Sequence, residues 1–392
     1  MIVDCDTHAM LPDAFEYMDS SFARLAPKLE FSTEDGSYDV VDFPGRPEVV
    51  PGSFPQARTG NKLRGAAFVE DRIEDFERLG VDAQLLMPNF TGWWSYLIEP
   101  ELGAAMAHSH NLSTLNVMKS YPGRFLGIAL VALQHVEASI QELRWARDNG
   151  FSAAVVDHAY PVREHPYGTS LGQHRELWPF FATAGELDMP LFIHNVLHGH
   201  GVLNCPRVMP LSLDEMTPSD SHINMVSLIY SGLLDDFPGL QFIIAEQGVG
   251  WIKPLAQLLD TKFERKPRNF ASEESGGRAS VIQMRKASVP TDIRARGNHE
   301  PPSYYLRRNF SWTIETEEPE LAEAVEFLGP DRFLFATDYP HDDPGGSMKW
   351  RDVELLAANK RISEEDKELM RGENARRLFK LSRKFRPSLT VH

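Results

Sequence analysis

Four short apolar runs of this sequence stop on side chains that bind metals. The first ends in Asp6-Thr7-His8, the fifth in His194, the sixth in Glu246 and the eighth in Asp338. Imidazole nitrogens and carboxylate oxygens in this mixture suit zinc, manganese or iron. A bound ion of that kind polarises substrate oxygens or activates water. Charged groups are rare at buried strand ends unless they are paired or hold a metal. Each residue alone has a plainer reading: a strand-end His is often a hydrogen-bonded core residue, and an Asp often caps the next helix. Plain readings at four strand ends together are much harder to sustain, so a metal site is expected. Asp6 and His8 are two apart, which puts them on one face of a strand.

Further residues follow the same runs. His341 stands three positions after Asp338 and suits a partner to a ligand, an acid or a ligand to a second ion. Asn89, Trp93 and Trp94 follow the second run, with Tyr96 close by. Aromatic residues there suit an apolar or cyclic substrate, or pack beneath an insertion. His158 follows the fourth run, and His198 and His200 lie in a Gly-rich loop after the fifth. Glu246 has three open readings. It is a general base acting on metal-bound water, a ligand to a second metal, or a structural carboxylate that pairs or caps the next helix.

Something must bring these positions together. Eight apolar runs occupy residues 2–6, 83–87, 125–131, 153–157, 191–194, 242–246, 310–314 and 333–338. Nearly continuous apolar character over so few residues suits strands buried on both faces of a parallel sheet. Helical patterns fall at 71–79, 136–148, 176–187, 223–234, 251–263, 319–327 and 364–381. In 71–79, Ile73, Phe76 and Leu79 repeat every three residues and Gly80 stops the turn. Eight strands alternating with helices predict an α/β fold, a (β/α)8 TIM barrel, with its site at the carboxyl ends of the strands. A doubly wound sheet normally carries a Gly-rich turn after its first strand, and none is present. The reading is one domain over 1–392, with insertions near the barrel mouth at about 19–66 and 266–307.

Composition narrows the function. The 392 residues include 56 acidic and 40 basic ones, a formal net charge of −16. That charge opposes a phosphate backbone, so no nucleic-acid partner is expected. No apolar run approaches the length of a membrane span, and no basic-then-apolar leader opens the chain. Cys5 and Cys205 make no disulfide framework, which fits a reducing, cytoplasmic setting.

The motifs also resemble a known family. Asp-x-His at 6–8, Pro-x-x-x-His at 190–194 and Ala-Thr-Asp-Tyr-Pro-His at 336–341 resemble the amidohydrolase superfamily. The nearest branch contains aminocarboxymuconate-semialdehyde decarboxylase and the resorcylate-type decarboxylases. The stretch EQGVGWIKP at 246–254 is similar to a subgroup of it. This resemblance implies a TIM barrel with a divalent metal on Asp6, His8, His194 and Asp338, and often a homodimer. Two departures stand out: Asp-x-His where many relatives have His-x-His, and Glu246 where decarboxylases generally have a His. An ionised carboxylate offers no proton to a substrate. The expected function is metal-dependent hydrolysis or non-oxidative decarboxylation of a small cyclic or aromatic carboxylic acid, with Zn, Mn or Fe. Asp338, Glu246 and His341 would act on protons or substrate. The alternative is a dinuclear non-haem iron oxygenase (two Fe) for an apolar acid or thioester, with Glu246 as the extra ligand. A catalytically silent scaffold is a third class, disfavoured by the complete ligand set.

Overall fold

The computed structural model describes residues 1–45, 63–88, 99–157, 160–162, 165–194, 219–264, 298–341 and 350–381. Its strands are β1 (Val3–Asp4), β2 (His8–Ala9), β3 (Lys28–Phe31), β4 (Tyr38–Asp42), β5 (Ala83–Pro88), β6 (Phe125–Leu130), β7 (Ala153–Asp157), β8 (Tyr160–Val162), β9 (His165–Thr169), β10 (Leu191–His194), β11 (Phe242–Ile244), β12 (Phe310–Ile314) and β13 (Phe333–Phe335). Parallel neighbours run β1-β5-β6-β7-β10-β11-β12-β13, and β2 extends the first staff by pairing with β5. Backbone bonds join the two ends. Cys5 N donates to Phe335 O (2.8 Å), Asp338 N to Asp6 O (3.0 Å) and His8 N to Tyr339 O (2.7 Å). The result is the predicted barrel of parallel strands alternating with helices.

Alternation along the strands sorts the core into two layers. Leu86, Ala129, Ala154, Leu191, Ile193, Phe242, Ile244, Phe310, Trp312 and Phe333 pack outward with the helices. Leu85, Met87, Leu126, Ile128, Val155, Phe192, Ile243 and Leu334 fill the interior. The parity has a direct consequence for the site. His194 shares the inward parity of Phe192. Thr313, between outward Trp312 and Ile314, also faces in. Glu246 has the parity of outward Ile244 and would point at the helices if β11 simply continued.

The predicted helices are present, Val136–Asp148 with the expected ends and others with shifted ends, among them Val69–Leu79, Ile252–Glu264 and Leu321–Leu328. The stretch expected as one helix over 364–381 instead holds Glu364–Glu368, a π-helical turn Leu369–Glu373 and Asn374–Leu378. A long helix, Pro100–Ser120, escaped the sequence reading. Its buried face carries Ser109, His110, Asn111, Ser113 and Thr114, so apolar periodicity does not mark it. The first apolar run also differs from expectation. It is two short strands, and Asp6 lies in the break between them rather than on a strand with His8.

Parts of both expected insertions are described. From 19–66 come the helix Ser20–Ala23 and the β3–β4 hairpin, whose Tyr38 packs with Met10 and Ala14 just after His8. From 266–307 comes the start of the helix Pro302–Asn309, which leads directly into β12. Among the described residues, no helix is long and apolar enough to cross a membrane.

Candidate metal centre

A buried polar frame locks the first and last staves of the barrel. Asp4 accepts from Thr337 N (3.0 Å), Thr337 Oγ1 (2.6 Å) and Gln84 Nε2 (3.3 Å). Gln84 in turn accepts from Arg72 Nε at 3.0 Å. Arg72 Nη1 donates to His8 O (2.7 Å) and Gly65 O (3.0 Å), and its guanidinium lies 4.6 Å from the Tyr339 ring centre. Burial is severe enough to lower the Arg72 pKa to about 10, against the pull of Tyr339 and Asp4. These contacts hold the backbone of His8 and the Thr337-Asp338-Tyr339 turn in register.

On that frame six predicted side chains converge. His8 Nε2 lies 3.5 Å from Asp6 Oδ1, 3.8 Å from Glu246 Oε1 and 3.2 Å from Asp338 Oδ1. His194 Nε2 lies 3.4 Å from Asp6 Oδ1 and 3.6 Å from Glu246 Oε2. His341 Nδ1 lies 2.9 Å from Asp338 Oδ1 and 3.8 Å from Glu246 Oε1, and its ring stacks on His8 at 4.5 Å. The ligand atoms form two overlapping groups, Asp6-His8-His194 and His8-Glu246-Asp338-His341. Within each, all lie within 4.8 Å of one another.

The spacing fits a metal ion. Ligand atoms about 2.1 Å from a common ion, at angles between 90° and tetrahedral, stand about 3.0–3.4 Å apart. Several of the observed gaps fall at or just beyond that range. Asp6 is 1% exposed, and its Oδ1 accepts no hydrogen bond although two imidazole nitrogens face it. A buried anionic oxygen in that position is costly unless a cation meets it. Its other oxygen, Oδ2, accepts from Thr313 Oγ1 at 3.3 Å, which aims Oδ1 at the imidazoles.

Two of these side chains reach the cluster through unusual backbone. Glu246 has φ 54° and Asp338 φ 56°, both left-handed for residues that carry a Cβ. Such conformations cost on the order of 1–3 kcal/mol and gather at functional sites. At Glu246 the left-handed step reverses the outward parity of β11 and swings the carboxylate into the mouth. Its amide donates to Thr313 Oγ1 at 3.3 Å.

Electrostatics keeps these groups ionised. Burial and Asp338 push the Glu246 carboxyl up, yet His194, His341 and His8 outweigh them and hold it below its usual value. Burial also works against ionisation of Asp338, but His341 beside it, with His8, keeps it well below the carboxylate range. Burial would lower His341, and Asp338 with Glu246 raise it well above an ordinary imidazole. Ionised Glu246 and Asp338 and a cationic His341 therefore share one pocket with Asp6, a donor set that suits a divalent cation.

Of the sequence-predicted site, Asp6, His8, His194, Glu246, Asp338 and His341 meet. Asn89, Trp93, Trp94 and His158 lie outside the described residues, as do His198 and His200. Residues missed by the sequence reading are Arg72, Thr313 and Glu318. Nothing in the local sequence marks Arg72 on its helix or Thr313 within Phe-Ser-Trp-Thr-Ile. Glu318 sits in an acidic run that reads as solvated surface.

Residues 3–381 match the amidohydrolase family model. The chain belongs to the amidohydrolase family. It is 24% identical over 370 residues to the gamma-resorcylate decarboxylase of Polaromonas sp. strain JS666, covering 92% of this chain and 99% of that one. It is 24% identical over 309 residues to the 2-amino-3-carboxymuconate-6-semialdehyde decarboxylase of Dictyostelium discoideum, covering 78% and 74%. Among solved structures, the 5-carboxyvanillate decarboxylase of Novosphingobium aromaticivorans, bound to manganese, superposes with TM-score 0.67. The two are 19% identical, and 97% of each chain is covered. Family and fold thus agree with the motifs at 6–8, 190–194 and 336–341. The dinuclear iron oxygenase alternative gains no support from these relatives.

Proposed function

We propose that this amidohydrolase is a metal-dependent decarboxylase of a small aromatic carboxylic acid. Asp6, His8, His194, Glu246 and Asp338 would hold one divalent ion. The observation that carries this reading is the convergence of these five side chains, with His341, at the carboxyl ends of the barrel strands. The names of the relatives supply the substrate class, and the manganese of one of them indicates the kind of ion.

When bound, the ion supplies fixed positive charge for the substrate's oxygens and for charge that develops on them. The rest falls to the chain. Non-oxidative decarboxylation breaks the bond between ring carbon and carboxylate and releases carbon dioxide. The electron pair left on the ring carbon takes a proton. Asp338, itself ionised, is placed to relay that proton from His341, since 34% of its side chain is exposed and its Oδ1 meets His341 Nδ1 at 2.9 Å. His341, cationic against that carboxylate, is the reservoir behind it. Glu246, held ionised, accepts and does not donate, so its role is binding. Asn89, Trp93, Trp94 and His158 are assigned to substrate contact from their places after the second and fourth apolar runs. The resemblance also implies a homodimer, which sedimentation reads directly.

The test is to load the protein with Mn2+ and supply gamma-resorcylate and, separately, 5-carboxyvanillate, with carbon dioxide and metal content as readouts. One ion per chain and carbon dioxide release are expected, and His194→Ala loses both. A His194→Ala variant that keeps metal and turnover refutes the ligand set. Wild-type protein that holds no divalent metal refutes the whole reading. Two irons per chain with oxygen uptake would restore the oxygenase alternative.

A further inference from the structure

Glu246 enters the centre only through a tight turn, and one side chain outside the centre holds that turn. Glu318, in the segment after β12, accepts from Val249 N with both carboxylate oxygens (2.9 and 2.7 Å) and from Gly250 N at 2.7 Å. The turn has two left-handed residues, Glu246 at φ 54° and Gly248 at φ 60°. A Cβ on Gly248 or on Gly250 would lie 3.1 Å from Glu318 Oε1, so the carboxylate sits directly on the backbone. Within the turn, Gln247 Nε2 donates to Glu246 O (2.9 Å) and Trp251 Nε1 to Gln247 O (2.7 Å). Thr313 of β12 holds the amide of Glu246 from the other side. The seventh staff supplies none of the assigned ligands, yet it grips the turn that supplies Glu246.

We infer that Glu318 is a positioning residue: it fixes the 246–250 turn so that the Glu246 carboxylate faces the metal centre. The inference rests on the assignment of Glu246 as a ligand. Charge-assisted bonds to backbone amides are short and strong, and they favour one conformation of a strained turn over its relaxed alternatives. Without them, β11 regains its ordinary alternation and Glu246 swings toward the outward parity of Ile244. A plain capping role for the helix Ile252–Glu264 is the competing account, and it predicts lost stability with an intact centre.

The experiment measures Mn2+ affinity by titration of the metal-free protein, with thermal unfolding as the fold control. The proteins are wild type, Glu318→Ala, Glu318→Gln, Glu246→Gln and the double variant Glu246→Gln/Glu318→Ala. Glu318→Ala is expected to weaken Mn2+ binding roughly 10- to 100-fold, the range for residues that orient ligands. In the Glu246→Gln background the same change is expected to add less than about twofold, because its effect passes through Glu246. Glu318→Gln keeps one acceptor oxygen but sets its amide against Val249 N–H, so a partial loss is expected. It also carries the test if the alanine variant does not fold. Affinity within about twofold of wild type for both folded Glu318 variants overturns the inference, as does a full additional loss in the Glu246→Gln background. Unchanged affinity in Glu246→Gln itself overturns it by removing Glu246 from the ligand set. A wild type that binds no Mn2+ fails the metal reading first and takes this inference with it.

Discussion

Thr313→Val tests the geometry of the centre with little change of shape. Both side chains are β-branched, and Thr313 is 5% exposed, so packing is preserved while a hydroxyl is lost. That hydroxyl donates to Asp6 Oδ2 and accepts from Glu246 N, both at 3.3 Å. At that length each bond is weak for its kind: about 0.5 kcal/mol for the amide donor and about 1.5 kcal/mol for the carboxylate acceptor. Together they restrain two assigned ligands by about 2 kcal/mol. Released, Asp6 rotates and no longer presents Oδ1 to His8 and His194. If the restraint is lost in full, about 2 kcal/mol corresponds to roughly 30-fold in affinity, inside the range for groups that orient metal ligands. Calorimetric Mn2+ titration of the metal-free protein measures it. Thr313→Ser, which keeps the oxygen, is expected within about threefold of wild type. A Thr313→Val protein that binds Mn2+ as tightly as wild type would show that the hydroxyl does not aim the carboxylate, and the reasoning fails.

Two other expectations follow from the buried charges. Arg72→Met removes the donor to Gln84, His8 O and Gly65 O and leaves those buried acceptors unsatisfied, at a cost on the order of 3 kcal/mol. Urea unfolding reads it, and a loss under about 1 kcal/mol contradicts the frame described for the first and last staves. Glu315, just beyond β12, is raised to about 7 by burial first and then by Glu318, Glu246, Glu317 and Asp338. A carboxyl raised in the folded state favours folding below its ordinary value near 4.5, and that favour is lost as pH rises through about 7. The metal-free wild type therefore loses stability between pH 5 and 8 relative to Glu315→Gln, measured by thermal unfolding; parallel profiles for the two proteins contradict the assignment.

Much of this molecule is legible in one dimension. Eight buried strands announce themselves because residues buried on both faces must be apolar, and the polar residues that end them stand out by contrast. The metal-binding types at 6, 8, 194, 246, 338 and 341 were visible for that reason. The helix Pro100–Ser120 was invisible because polar side chains at 109–111, 113 and 114 interrupt the apolar pattern of its buried face. Asn111 illustrates the cause: it bonds Leu130 through both backbone groups, at 2.8 Å each, so tertiary partners satisfy what the sequence presents as polar.

The sequence by itself determined the family, the alternating barrel and the residue types offered as ligands, because these rest on residue type and on period. Tertiary structure alone decided how Glu246 and Asp6 reach the centre. Glu246 has the wrong parity for an inward residue, and Asp6 lies in a strand break; strained backbone and contacts from remote Thr313 and Glu318 turn them in. Those partners are separated from their targets by scores or hundreds of residues, and no local pattern encodes contacts that exist only once the barrel has closed.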